Sequence, residues 1–526
     1  MFRSEFPDIP IVELPLHETV LGNAAEYGEL PALIDGLTGE TLTHAGLAEL
    51  VRQVAAGLAE AGVAQGDVVA LHSPNSIAYP VAVYAISQAG AILTTVSSLA
   101  TPEELAGQLR DSGARWLISA PVLLPVAFAA TAAPGGPELA GIFRTELTPR
   151  TDIEGHRTLG DLAASTAPVP APVIDPATDV AALPYSSGTT GLPKGVMLTH
   201  QSIGTNLNQV DVVRPPYVGE RMLAVLPFFH IYALTMLMHR PLRAGGVVVV
   251  LPRFDLEQFL TAIQKHRIEG LLVAPPIVLA LAKHPVVDRF DLSSLRYVLS
   301  AAAPLDADLA AACAARLGQP HIQQGYGLTE LSPACAVDLL TDPQPSAGSV
   351  GVLIASTELR VITTDGSAAE LGTGETGEIL IRGPQVMKGY LGRPSDTDAM
   401  VDAEGWLHTG DIGFLDDRGY LHIVDRVKEL IKYKGYQVAP AELEALLLGH
   451  PGIADAAVIG ATDAEGTERP KAFVVRAPGA GLDAEAVMAY VAERVAPYKK
   501  VREVVFLDAV PKSAAGKILR RELRGK

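Results

Sequence analysis

The sequence predicts an α/β fold: a large N-terminal domain of layered α/β subdomains with a β-rich subdomain, then a small α+β C-terminal domain. Three observations carry this. Between Thr43 and Ala120, short apolar runs alternate with Ala/Leu-rich helical stretches, the pattern of a mainly parallel sheet. Similar units resume from about Ser202 to Leu340, ahead of a Gly-rich β-like region. From about Val427 the chain changes character, which sets the expected boundary between domains 1–426 and 427–526.

In chain order, Asp67–His72 and Ile92–Val96 read as strands, each preceded by a helical stretch. The next helix has a defined start: Thr101 as N-cap, Pro102 at the first helical position and Glu104 placed to close a capping box. Its Leu105, Leu109 and Ala114 are expected to face the sheet. The Pro/Ala-rich stretch Ala167 to Ala177 reads as a surface connection. Gly374 to Arg382, GETGEILIR, reads as a turn leading into a strand. The last hundred or so residues hold a lysine-rich hairpin, strand-like runs at Ala456–Gly460 and Ala472–Arg476, a helix near Ala484–Val495 and a closing strand.

With 526 residues, 48% of them hydrophobic, the chain can bury more than one core. The longest apolar runs, such as Gly245–Leu251, are strand length and fall short of the roughly 20 residues a membrane helix needs, so no membrane insertion is expected. The N-terminal MFRSEFPDIPIVELPL lacks a basic segment followed by an apolar one, and the cytoplasm is the expected compartment. Cys313 and Cys335 lie apart with no zinc-type spacing and read as free thiols. A formal charge of −18 argues against nucleic-acid partners and requires locally placed cations for any anionic substrate.

The segment Tyr185 to Gly195, YSSGTTGLPKG, concentrates glycines, hydroxyls and a lysine. Glycine lets backbone amides approach a phosphate, Ser and Thr add donors, and lysine adds charge. The Walker A order, Gly-Lys followed by a helix, is absent: here Lys194 precedes Gly195 and a strand follows. Such a loop joining two strands could clasp a triphosphate; standing alone, it reads more readily as a flexible turn.

Further motifs follow in order: QGYGLTE at 324–330, GWLHTGD at 405–411, VDRVKELIKYKG at 424–435 and PKSAAGKIL at 511–519. Together they resemble the adenylate-forming superfamily of acyl-CoA synthetases, adenylation domains and luciferase-like proteins, over nearly the whole chain. Within it, PFFHIYAL at 227–234 and KYKGYQVAP at 432–440 look most like bacterial 4-coumarate or cinnamate CoA ligases. The resemblance implies an ATP- and Mg²⁺-dependent enzyme that converts an aryl or arylpropenoic acid to its acyl-AMP, releasing pyrophosphate, and then passes the acyl group to coenzyme A. It also implies a mobile C-terminal domain and a monomer or homodimer.

The resemblance further assigns residues. Lys517 bridges carboxylate and α-phosphate, where two anions must be neutralised. ATP and AMP contacts fall on Ser186, Ser187, Gly188, Thr189, Thr190, Gly191, Lys194, Ala302, Gln324, Gly325, Tyr326 and Thr329. Asp411 is expected on the ribose hydroxyls, supported by Arg426. Thr190 and Glu330 are the Mg²⁺ candidates. His230, amid Phe228 and Phe229, takes a positioning role near the acyl substrate. Tyr232, Met236, Ala301, Gly325, Pro333 and Ala334 form the acyl pocket, with Tyr232 at its floor. Arg253, Lys434 and Gly435 face CoA, and Lys428 is the hinge. Ala301 stands where plant-type enzymes commonly have glycine, and Met236 where many relatives are smaller or polar; a shorter, more apolar distal pocket follows, favouring cinnamate and 4-coumarate over ferulate. FFHIYALTM offers no carboxylate for an amino-acid ammonium, which disfavours amino-acid activation. A medium-chain fatty acyl-CoA synthetase or acyl-AMP ligase is the alternative.

Overall fold

The computed structural model describes the whole chain except residues 134, 150–154, 187–192, 343, 434–435, 463–467, 514–515 and 525–526, and only the backbone of 432, 436 and 437. Two large sheets dominate. In the first, strands Val180–Ala182, Ile92–Val96, Val68–His72, Ala114–Ser119 and Gly141–Arg144 run parallel, and Lys194–Thr199 and Gly389–Tyr390 close one edge antiparallel. In the second, Gln323–Gly327, Tyr297–Ser300, Gly270–Val273, Arg221–Ala224, Val247–Val250 and Pro31–Asp35 run parallel between antiparallel edges.

One apolar core runs through both sheets and the helices between them, and a smaller one packs the helix Pro102–Ser112 against the first sheet. The helix Ala78–Gln88 shows why: every residue from Ala78 to Ser87 is buried, the signature of a helix covered all round. The helix Pro102–Ser112 begins with the expected Thr101–Glu104 capping box and buries Leu105 and Leu109. Ala114 does not belong to it. Gly113, at φ +67°, ends the helix in a left-handed cap, and Ala114 opens the strand Ala114–Ser119.

A third, five-stranded sheet includes Gly377–Arg382, Leu407–Leu415 and Leu421–Arg426 and has its own core. After Arg426 comes the hairpin Ile431–Tyr433 and Tyr436–Val438, then the helix Pro440–Leu448, which the sequence reading did not anticipate. Strands Ile453–Thr462, Glu468–Arg476 and Glu503–Phe506 and the helix Ala484–Ala492 complete a separate core. Cys313 and Cys335 are both free and buried. Among the described residues, no helix is long and apolar enough to cross a membrane.

Candidate active site

The site lies at the carboxyl ends of the second sheet's parallel strands, where open α/β sheets place their ligands. A cavity of about 90 Å³ there is lined by Tyr232, Met236, Ala301, Gly325, Pro333 and Ala334, the six positions expected to hold the acyl group. His230, Ala302, Tyr326 and Thr329 line it as well. No carboxylate is among its described lining residues.

The loop carrying His230 is fixed from the other sheet. Asn75 donates to the Leu226 carbonyl at 2.8 Å and accepts from the Phe228 amide at 2.7 Å, while the Thr95 hydroxyl donates to the Phe229 carbonyl at 2.7 Å. The chain then enters a π-helical turn, Ala233–His239, a wider winding that recurs at functional sites. Burial brings the His230 imidazole down to about 4, with the Lys517 charge adding to the effect. The ring is therefore neutral near pH 7. Its Nδ1 accepts the Tyr232 amide at 3.4 Å, which leaves the proton on Nε2. The Tyr232 hydroxyl is buried without a hydrogen-bond partner among the described residues.

The expected apolar distal end holds on one side only. Met236 is there, but Arg214, Arg240 and Tyr297 line the same cavity. Neither arginine lies in a recognisable motif, so sequence reading missed them.

Beside the cavity, Asp411 is 3% exposed and accepts from the Tyr326 hydroxyl, while Arg426 Nε lies 3.2 Å from its other oxygen. Antiparallel pairing of Leu407–Leu415 with Leu421–Arg426 puts Asp411 and Arg426 directly opposite one another. Burial pushes the Asp411 carboxyl up, against the pull of Arg426 and Tyr326. A carboxylate offers about four acceptor positions, so these two contacts leave room for a diol.

Lys517 reaches this cluster from the C-terminal region. Its amide donates to Ser513 Oγ at 3.2 Å and its carbonyl accepts the Ser513 amide at 2.8 Å, closing a tight turn. Gly516, at φ +82°, lies against Pro276: a Cβ there would sit 3.1 Å from the proline ring. Burial brings the Lys517 ammonium down to about 8, and Arg426 adds to the effect, opposed by Glu429 and Asp411.

Lys194 and Glu330 are joined by a residue that sequence reading did not single out. Lys194 pairs with Asp396 at 2.9 Å and lies 4.9 Å from the Tyr390 ring centroid, and the Tyr390 hydroxyl donates to Glu330 at 2.8 Å. Ser186 pairs with Lys194 across a short hairpin, as expected for a loop joining two strands. Ser187, Gly188, Thr189, Thr190 and Gly191 lie outside the described residues, as do Lys434 and Gly435. The Gln324 side chain is engaged elsewhere, donating to the Ser349 carbonyl at 2.9 Å. Arg253 and Lys428 are exposed, Arg253 away from the cavity and Lys428 in the turn after Leu421–Arg426.

Lys517, the buried Asp411–Arg426 pair and a cavity with no carboxylate among its described lining residues meet at one point, an arrangement that fits an enzyme activating acids as adenylates. The chain belongs to the AMP-binding enzyme family, whose description matches residues 21–391, with the AMP-binding enzyme C-terminal domain matching residues 442–517. It is 45% identical to 4-coumarate–CoA ligase 2 of Oryza sativa subsp. japonica, over 100% of this chain and 95% of that protein. It is 43% identical to 4-coumarate–CoA ligase 2 of Petroselinum crispum, over 100% and 96%. These are plant proteins, where the sequence pointed to bacterial ones. Among solved structures, the anthranilate CoA ligase AuaEII in complex with anthranoyl-AMP matches with TM-score 0.88 and 26% identity, covering 98% of each chain. ATP-bound MatB from Rhodopseudomonas palustris matches with TM-score 0.85 and 28% identity, covering 96% of this chain and 98% of that one.

Proposed function

We propose that the chain ligates an arylpropenoic acid of the cinnamate or 4-coumarate type to coenzyme A. The relatives named 4-coumarate–CoA ligase, at 40–45% identity over the whole chain, support the substrate class. The observation that carries the reading is the cavity lined by His230, Tyr232, Met236, Ala301 and Tyr326, with no carboxylate among its described lining residues.

In the first half-reaction a carboxylate oxygen attacks the α-phosphorus of ATP, and the bond to the β-phosphate oxygen breaks to release pyrophosphate. Lys517 neutralises the two anions as they meet. Asp411 holds the ribose hydroxyls, oriented by Arg426 and Tyr326. Ser186, Lys194 and the loop 187–191 take the phosphates, while Ala302, Gly325 and Thr329 bound the nucleotide. Glu330, with Thr190, would hold Mg²⁺, which would offset phosphate charge. The Tyr390 hydrogen bond to Glu330 fixes that carboxylate.

In the second half-reaction the CoA thiolate attacks the acyl carbon and the bond to AMP breaks. Arg253, Lys434 and Gly435 receive CoA. His230, held neutral by burial, positions the acyl carboxyl. Residues 1–426 and 427–526 form the two domains, supported by the separate core that begins at Ile431, and Lys428 is the hinge.

Pyrophosphate release and CoA-thioester formation with cinnamate, 4-coumarate and octanoate test this reading. A higher kcat/KM for octanoate than for either aryl acid would establish the fatty acyl alternative instead.

A further inference from the structure

Across Tyr297 from the acyl cavity lies a second hollow that opens on the surface, where Arg296, Leu340 and Thr341 are exposed. That second volume, about 240 Å³, is lined by Arg296, Tyr297, His321, Gln323, Leu340 and Asp342 among others. Tyr297 faces both cavities. Arg214, which lines the acyl cavity, donates from Nη1 to Gln323 Oε1 at 2.5 Å and lies with Cζ 4.6 Å from the Tyr297 ring centroid. A longer donation reaches the Asp338 carbonyl at 3.3 Å, and the Tyr297 hydroxyl donates to Glu220 at 2.8 Å. The three side chains that bound the two volumes are thus held by hydrogen bonds and stacking rather than by interdigitated aliphatic groups.

Arg214 can be buried here because of where it sits. It caps the C-terminus of the helix His200–Val213, its amide on the Val210 carbonyl, where the helix end favours a cation. It is 5% exposed and has no ion pair among the described residues. Its charge is met instead by the Gln323 side-chain oxygen, the Asp338 carbonyl and the Tyr297 ring.

We propose that Arg214, with Tyr297 and Gln323, is a partition between the two cavities that sets the greatest length of acid accepted; this rests on reading the first cavity as the acyl site. Arg214 is then a specificity-determining residue, and the second cavity is dormant acyl space.

The test is a series of cinnamic acids carrying hydrogen, methyl, ethyl, propyl or phenyl at the para position, assayed by CoA-thioester formation. For the wild-type enzyme, kcat/KM should fall at least about tenfold between methyl and propyl. Arg214→Ala and, independently, Tyr297→Ala should each raise the propyl-to-hydrogen ratio by about tenfold or more. Arg214→Met, which keeps a long side chain in place, should give no such gain. Adding Leu340→Trp to Arg214→Ala should cancel the gain by filling the second cavity. Each variant is checked by Tm and by pyrophosphate release with cinnamate.

A wild-type enzyme that accepts the phenyl compound as readily as the methyl one overturns the partition without any variant. So do folded opening variants with an unchanged ratio, or a gain that survives Leu340→Trp. If no arylpropenoic acid is turned over, the substrate reading has failed rather than the partition, and straight-chain acids from hexanoate to dodecanoate read the same length limit in the same variants.

Discussion

Lys517 carries two expectations. Removing one preorganised charged donor costs about 3–4 kcal/mol of transition-state stabilisation, so Lys517→Ala should slow adenylation about 10²- to 10³-fold. It should spare thioester formation from preformed acyl-AMP, and equal losses in both half-reactions would reject that division. The pH dependence follows from the lowered ammonium. The charged form is needed and is lost as pH rises through about 8, well below the ordinary lysine range. The kcat/KM for adenylation should therefore be level below that pH and decline above it. Lys517→Arg, whose guanidinium stays charged, should abolish the decline whatever its absolute rate. At Ala301, half-buried on the cavity wall, Ala301→Gly should raise kcat/KM for ferulate about tenfold while changing cinnamate little. An equal response of both acids would place the residue outside substrate discrimination. The residues that motifs could reveal, Lys517, Asp411, Arg426 and Glu330, were legible because their neighbours in sequence are distinctive. Arg214, Tyr390 and Asn75 were not, since each works through partners far away in the chain.

Elements were legible where the forces that make them are local. The capping box at Thr101 is written within four residues, and the hairpin around Lys194 within about ten, so both were readable. The end of the helix at Gly113 was misread because a left-handed glycine and a strand-opening alanine look like one more helical turn. The π-helical turn Ala233–His239 is invisible to any 3.6-residue pattern, yet it presents Met236 to the cavity. Its entry depends on Asn75 and Thr95, which tie one sheet's strand ends to the other sheet's loop. Asn75→Ala strands the Phe228 amide and the Leu226 carbonyl in the interior, at a cost of about 1–3 kcal/mol. The expected result is a lower Tm together with a raised KM for the acid and a nearly unchanged KM for ATP. A rise in KM for ATP alone would separate this loop from the acyl site.

On the scale of the whole molecule, one short region supplies both Lys517 and the hairpin around 434–435, and two successive reactions must share one site. We expect residues 427–526 to rotate about Lys428 between the half-reactions, which would meet both demands. Lys428 is exposed and lies in the turn between the last strand of the third sheet and the hairpin that opens the C-terminal region. Lys428→Pro fixes φ there and should leave pyrophosphate release largely intact while slowing thioester formation; an unchanged overall rate would remove the hinge. The two-domain division and the layered sheets were legible because they follow from composition and alternation along the chain. The way the second domain meets the first was not, because it is settled by a few contacts between distant segments.

One of those contacts is the seat of Gly516 on Pro276. It is a glycine meeting the edge of a ring, and dispersion between so few atoms amounts to tenths of a kcal/mol. A hold that weak works as a latch rather than a lock. If residues 427–526 swing between the two half-reactions, this contact must part on every cycle, and so small a seat adds little to the cost of parting it. A bulkier residue at 516 should then keep Lys517 from its post, holding the latch ajar and slowing adenylation before thioester formation.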